Sequence, residues 1–527
     1  MSYHVVFQVT ALERDALEVL CLVRSVKNLF APINRIPPEI LSLIPGHCDD
    51  NEGDIDQDLI TLTHVCRGWR DMFTSRSLLW TRLDFINVEK AHTYIQRSQS
   101  SPLDIRLKYT SYLDDAFSLA IPHLRRLKSL TICVDVLPDI LTHFRCQAPL
   151  LEELNIALYQ NRNPILDNTL FGGDLSSLRK LTLEGDITIT HLPWNNMTNL
   201  QVLNLRSRSA GHITQFLDFF ETTPLLHAVE LMDSIPDSSD APPQRIVPLP
   251  HLKALTINAD PPPSVLLNHL CIPTGASLNL SFNFRGEKSP LLDYLPEASP
   301  NIRNLSHITT VNLYFSSWEK LVRLSGPSGS LRALARLTRR KTNSSTINRR
   351  ILRSLTPSIL STTQRLAVSK YRYPETGESL VFRTLSSMNN LRSLTLTNCD
   401  NLTFILALNP EETPSKPMPC PNLDELVLYI RLWSQLHVDH LTSMAKNRAL
   451  GGAKLSSITI VGPAPGRPMF ELREYVTDVK YRVDKAALDS FLGKGSDESS
   501  DWSNESINGS VGESVDESSN ESSDESV

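Results

Sequence analysis

The chain has 527 residues, 41 % of them hydrophobic and 21 % charged, which supplies enough apolar material for a buried core and excludes a collagenous or wholly disordered chain. Its net charge of -6 is confined to one end: residues 496–527 hold ten acids and no Lys or Arg, and removing that -10 leaves the other 495 residues at about +4. No window reaches the roughly 18–20 apolar residues that cross a bilayer, and Glu13, Arg14, Asp15 and Glu18 break up the apolar N-terminus, so neither a membrane span nor a signal-peptide core is expected.

The first element expected is a helix over 10–30, within an N-terminal segment 1–32. Leu12, Ala16, Leu20 and Val23 recur at three- and four-residue steps, and Pro32 follows the end. Such a stripe either packs on the next module or joins a partner helix; packing is the expectation. A second zone spans 33–86. Pro37 and Pro38 suit the first turn of a short helix, where a missing N–H costs nothing, and Glu39 sits near the positive end of its dipole. An acidic loop is expected from Gly46 to Asp58. A further helix begins near Leu59 with Leu62, Val65, Cys66 and Trp69 on one stripe. Ser77-Leu78-Leu79-Trp80 closes the zone on a large aromatic anchor. Residues 87–119 are expected to be a linker.

Residues 120–493 carry the strongest internal signal, an apolar-x-x-apolar-x-apolar motif. It occurs at Leu127/Leu130/Ile132, Leu151/Leu154/Ile156, Leu178/Leu181/Leu183, Leu200/Leu203/Leu205, Leu226/Val229/Leu231 and Leu252/Leu255/Ile257. Start-to-start spacings are 24, 27, 22, 26 and 26 residues, inside the range of about 20–29 for leucine-rich repeats. Later copies stand at Ile308/Val311/Leu313, Leu391/Leu394/Leu396, Leu423/Leu426/Leu428 and Leu455/Ile458/Ile460. Each is expected to be a short strand with one buried face. The helical patterns His212–Thr223 and Gln435–Lys446 would cover some of them, and such units bury their apolar faces only by stacking. The motif falters between about 262 and 390. Lys320 to Tyr373 holds thirteen Lys or Arg and no acid, and is expected to be an irregular basic insertion or degenerate repeats. From 494 onward the chain is Ser-, Asp- and Glu-rich and is expected to be disordered. Ser510, Ser514, Ser518 and Ser522 each have an acid three residues on, a spacing that suits acid-directed phosphorylation. The tail is expected to act as an inert solubilising segment; the alternative is that it folds back on the basic run.

Three pieces in the second zone, in order, resemble the F-box, in the F-box-like version abundant in mushroom-forming fungi. They are Ile36-Pro37-Pro38-Glu39-Ile40-Leu41, Leu62-Thr63-His64-Val65-Cys66-Arg67-Gly68-Trp69-Arg70 and Leu79-Trp80-Thr81-Arg82-Leu83. Tyr94-Ile95-Gln96-Arg97-Ser98 and Ser101-Pro102-Leu103-Asp104-Ile105 look like that family's continuation. The resemblance implies three helices that dock on a Skp-type adaptor, and through it on a cullin, making the chain a non-catalytic substrate receptor for an unknown target protein. Carried over residue by residue, Ile36, Pro37, Ile40 and Leu41 would meet the adaptor from the first helix and Val65, Cys66 and Trp69 from the second, while Leu79 and Trp80 would lock the third. The acidic loop is longer than in the compact family pattern, which leaves the placement of the first two helices open. The expected fold is therefore α/β: a small all-helical module, an irregular leucine-rich-repeat solenoid, and a disordered acidic tail. The alternative is a repeat scaffold that uses the F-box-like segment as a cap.

Enzyme chemistry has no foothold. There is no G-x-S-x-G, no Gly-rich phosphate loop with a Lys and no H-E-x-x-H, so no catalytic residue and no cofactor is expected. The eight cysteines form no C-x-x-C pair, which points to a reduced chain of the cytoplasm or nucleus. His47, Cys48, His64 and Cys66 depart from zinc spacings, and Cys66 lies on an apolar stripe, so no metal site is expected. The basic run Arg336, Arg339, Arg340, Lys341, Arg349, Arg350 and Arg353 lacks aromatics for base stacking. It is expected to be a solvated face, not a nucleic-acid site.

Overall fold

The structure is a computed structural model. It describes residues 3–482 except 45–54, 86, 109–112, 135–143, 159–168, 186, 188–193, 208–211, 235–244, 260–263, 285–300, 317, 338–347, 350, 354, 372–379, 411–417, 431–433 and 463–470. The acidic tail, most of the expected acidic loop, and Arg339, Arg340, Lys341 and Arg350 of the basic run lie outside the described residues.

Among the described residues, five α-helices lead the chain: α1 (Tyr3–Leu29), α2 (Pro38–Leu41), α3 (Ile55–Val65), α4 (Arg67–Ser75) and, after a strand, α5 (Val88–Ser98). Seventeen strands then form one continuous sheet. In spatial order they are β1 (Arg82–Asp84), β2 (Leu103–Lys108), β3 (Leu127–Val134), β4 (Glu153–Leu158), β5 (Lys180–Glu184), β6 (Val202–Arg206), β7 (Ala228–Met232), β9 (Ala254–Asn258), β11 (Ser277–Phe284), β14 (Gly329–Leu337), β13 (Glu319–Gly326), β12 (Thr310–Phe315), β15 (Arg365–Ser369), β16 (Ser393–Thr397), β17 (Glu425–Tyr429), β18 (Ser457–Val461) and β19 (Asp478–Arg482). β8 (Val247–Pro248) and β10 (Leu270–Cys271) make a separate two-stranded pair.

The motif leucines explain the sheet. The second and third apolar positions align strand to strand: Leu130 with Leu154, Leu181, Leu203, Val229 and Leu255, and Ile132 with Ile156, Leu183, Leu205, Leu231 and Ile257. Both rows are buried. The first leucine closes a tight turn: the N–H of Leu178, Leu200, Leu252, Leu391 and Leu423 donates to the carbonyl three residues back, at 3.1–3.2 Å. Asn199, Asn390 and Asn422 stitch successive turns by donating to Ser176 O, Ser361 O and Asn389 O at 2.8, 2.7 and 2.8 Å. The helices expected around 212–223 and 435–446 run Ile213–Thr222 and Gln435–Leu450. They bury Phe216, Phe219 and Phe220, and Leu441 and Met444, respectively.

Three expectations change. Residues 87–119 hold α5 and β2, and β2 pairs with both β1 and β3, so the segment is part of the sheet instead of a linker. The 33–86 module is not all-helical, because Arg82–Asp84 forms the sheet's first strand. Of the basic stretch, 338–347 lie outside the described residues, and the first part, as far as Leu337, is built into the sheet. Here the chain passes two strand positions, lays down β12, then returns through β13 and β14, antiparallel neighbours that fill the space up to β11. Val322 and Leu324, and Leu331, Ala333 and Ala335, point inward, while Arg323, Arg332 and Arg336 alternate outward. The β13–β14 turn needs glycine: at Gly329 (φ +137) a Cβ would lie 2.5 Å from Ala276 O. Buried Asn304 anchors the same turn, donating to Ala276 O and Ser330 O at 3.3 and 3.2 Å.

Candidate functional site

Residues 33–86 split their apolar side chains into two sets. The inward set holds the module together. Trp69 on α4 meets Phe73 edge-on with ring centres 5.7 Å apart, and its indole N–H donates to Asn34 Oδ1 at 2.6 Å. Asn34 in turn donates to Asn28 O at 2.6 Å, tying the end of α1 to the module. Trp80, fully buried, donates to Phe73 O at 2.8 Å. It stands edge-on to Tyr94 at 4.8 Å, and the Arg97 guanidinium covers its ring at 4.3 Å. Leu41 and Leu59 complete this core. Beyond the module, Arg126 ties the end of α5 to the start of β3: its Nη1 donates to Ser98 Oγ at 3.0 Å, to Ser101 O at 3.2 Å and to Gln99 O.

The outward set is Ile33, Ile40, Leu43, Val65 and Leu78, 43, 54, 55, 54 and 73 % exposed, with Pro37 exposed beside them in sequence. Large apolar side chains left in water at this density on so small a module make it a candidate interaction surface. Of the nine residues singled out by sequence, Pro37, Ile40 and Val65 are therefore open to a partner. Ile36, Cys66 and Leu79 are partly buried against the core, and Leu41, Trp69 and Trp80 are buried within it. The single helical stripe from Leu62 to Trp69 does not form. Cys66 is extended (φ -157, ψ 172) and separates α3 from α4, which turns Val65 away from Trp69. Arg70 bridges the break by donating to Thr63 O at 3.1 Å. α3 begins at Ile55, inside the stretch expected as loop. Sequence reasoning missed Asn34, a single polar residue with no pattern around it, and the exposure of Ile33, Leu43 and Leu78.

The second candidate surface is the open face of the sheet. One row across it reads Asn155, Thr182, Asn204, Glu230, Thr256, Asn279, Arg332, Arg323 and Asn312. Arg323 and Arg332 are directly opposite on antiparallel strands. Burial, and then the neighbouring Arg323 and Arg336, hold the Arg332 pKa below its ordinary value. Glu319 pairs with Arg336 at 3.6 Å. Arg349 and Arg353 are exposed, whereas Lys320 is turned inward.

No reactive thiol is offered by Cys399 or Cys420, since burial pushes both up to about 12. His47 and Cys48 lie outside the described residues; among those described, no three His, Cys, Asp or Glu side chains group to hold a metal ion. No described helix is long and apolar enough to cross a membrane.

Residues 33–86 match the model of the F-box-like family, 54 of the 527 residues. No curated protein matches the chain.

Proposed function

We propose that this chain is the substrate-recognition subunit of a cullin-based ubiquitin ligase of the SCF type. The F-box-like domain carries the reading; domains of this family generally bind Skp-type adaptors, and F-box proteins are typically non-catalytic. The outward apolar set, with Pro37, Ile40 and Val65 at its centre, is the adaptor surface. An apolar patch excludes water from a lasting interface better than a charged one does. Leu41, Trp69 and Trp80 act one layer below: they fix the helices that present it. The strand array is read as an irregular leucine-rich-repeat solenoid, because one motif copy supplies one strand at each step and neighbours align row by row. Its open face, residues such as Lys180, Thr182, Arg323 and Arg332, receives the target protein. The test is size-exclusion chromatography of the full chain with a Skp-type adaptor and a cullin. Co-elution of the chain with the cullin only when the adaptor is present supports the reading.

One observation favours a second reading. β1 lies inside the F-box-like module and starts the sheet by pairing with β2. The module thus also caps the strand array, and stacked arrays need such caps. A chain that folds but binds no adaptor in the same experiment is a capped scaffold.

A further inference from the structure

The helix that precedes the module stands out by its surroundings. Between Val6 and Leu29 no side chain of α1 is buried, and only Ala11, Ser25 and Asn28 are even half-buried. Yet Val9, Leu12, Val19, Val23, Val26 and the following Phe30 are 48, 68, 60, 60, 54 and 70 % exposed. A packing role against the rest of the chain, expected from sequence, is absent among the described residues. These side chains follow strict steps of three and four: 9, 12, 16, 19, 23, 26, 30, with Ala16 filling the remaining place. That is the seam of a left-handed coiled coil, sustained for three heptads. A helix of 27 residues is about 40 Å long, and an isolated one so apolar does not stay in water alone.

We propose that α1 is a self-association helix that pairs with the α1 of a second copy of this chain in antiparallel orientation. Charge selects both partner and direction. The helix carries Glu13, Asp15 and Glu18 against Arg14, Arg24 and Lys27, a balanced set that gives an anionic membrane surface nothing to attract. Antiparallel pairing with Leu12 opposite the partner's Phe30 also sets Ala16 opposite the partner's Val26 and Val19 opposite the partner's Val23. On the flank, Glu13 then meets the partner's Lys27, and by two-fold symmetry this ion pair forms twice. Either direction sets Asp15 beside a partner leucine, the partner's Leu29 when antiparallel and the partner's Leu20 when parallel, but a parallel pair also sets Leu22 beside the partner's Lys27 and forms no ion pair. It would also crowd both bodies at one end, because each α1 is tied to its module at Asn28 through Asn34. The dimer rests on observations separate from the adaptor surface, and either can fail alone.

The experiment is sedimentation of the full chain across micromolar concentrations. The expected mass is twice 59.1 kDa. Val19→Asp should raise the dissociation constant by at least about a hundredfold, since two-fold symmetry makes one substitution bury two charges, and should leave the melting temperature of the body unchanged because residue 19 is exposed. Lys27→Glu should weaken the dimer, and Glu13→Lys added to it should restore it. A monomeric wild-type chain, or a dimer that Val19→Asp does not disturb, overturns the proposal. A charge swap that fails to restore the dimer overturns the antiparallel register. Protection of α1 from proteolysis in a monomeric chain would assign the helix to another occupant and count equally against self-pairing.

Discussion

Replacing Lys320 by Met should stabilise the chain at neutral pH and leave it unchanged or weaker in alkali. Lys320 lies on the inward side of β13 with Val322 and Leu324, and the residue is 2 % exposed. Its Nζ donates to Ser316 O at 2.5 Å and stands 6.0 Å from the centre of the Phe315 ring. Burial lowers its pKa from 10.5 to about 8. At roughly 1.4 kcal/mol per pH unit, that depression corresponds to about 3 kcal/mol of cost for keeping the ammonium charged inside. Below pH 8 both folded and unfolded chains hold the proton, so the folded state bears the full cost. Between about 8 and 10.5 the unfolded chain binds the extra proton, and stability rises with pH. Met removes the charge but also the bond to Ser316, which offsets about 1 kcal/mol. The net gain should be about 2 kcal/mol near pH 7 and should vanish or reverse near pH 10.5. Urea unfolding of both chains at several pH values, followed by circular dichroism, measures it. A Met variant that is less stable than wild type at pH 7, or a difference that does not change with pH, refutes the reasoning.

Trp80→Ala should cost about 3–5 kcal/mol, the usual penalty for emptying a buried aromatic site, seen as a lowered melting temperature and faster proteolysis between α4 and α5. Gly68→Ala should stabilise by about 0.5–1 kcal/mol, because a Cβ there meets nothing within 4 Å; a loss in the same melting assay would show that α4 tolerates no side chain at this point. Arg323→Ser removes one of two like charges set directly opposite and should gain about 0.2–1 kcal/mol, more at low salt than at high; destabilisation in denaturant titrations would contradict the repulsion.

Much of the sheet was legible because a leucine needed for burial leaves a spacing. Copies with Leu, Ile or Val at all three positions were found; Trp80/Leu83/Phe85 at β1 and Val476/Val479/Tyr481 at β19, which put aromatic residues in the motif, were not. β2, β11 and β15 were not, since Pro102, Gly275 and Thr363 stand where their first leucine would be. Thr363 is nevertheless buried and donates to Ile359 O at 2.7 Å, so a polar residue can close the turn. The reversal at β12–β13–β14 was illegible for another reason. Alternation reports which face a residue takes, not which strand lies beside it, and the Gly326-Pro327-Ser328-Gly329 turn reads as an ordinary loop. In the module the motif residues were found, but not their division of labour. Ile40 and Leu41 are adjacent and chemically alike, yet one is 54 % and the other 5 % exposed; only the packing of Trp69, Phe73 and Trp80 decides which is which. Likewise, a helical stripe through Cys66 was a fair inference from spacing, and the extended backbone at that residue broke it.

The central claim is that the exposed apolar face of residues 33–86 is a docking surface and the buried aromatics beneath it are its support. The most direct test is calorimetric titration of a Skp-type adaptor into the wild-type chain and into Ile40→Asp/Val65→Asp. Both substituted side chains are 54 % exposed, so melting should shift by no more than about 2 °C, while affinity should fall at least about a hundredfold. Undiminished binding by the double variant, or no binding by the folded wild-type chain, would contradict the account.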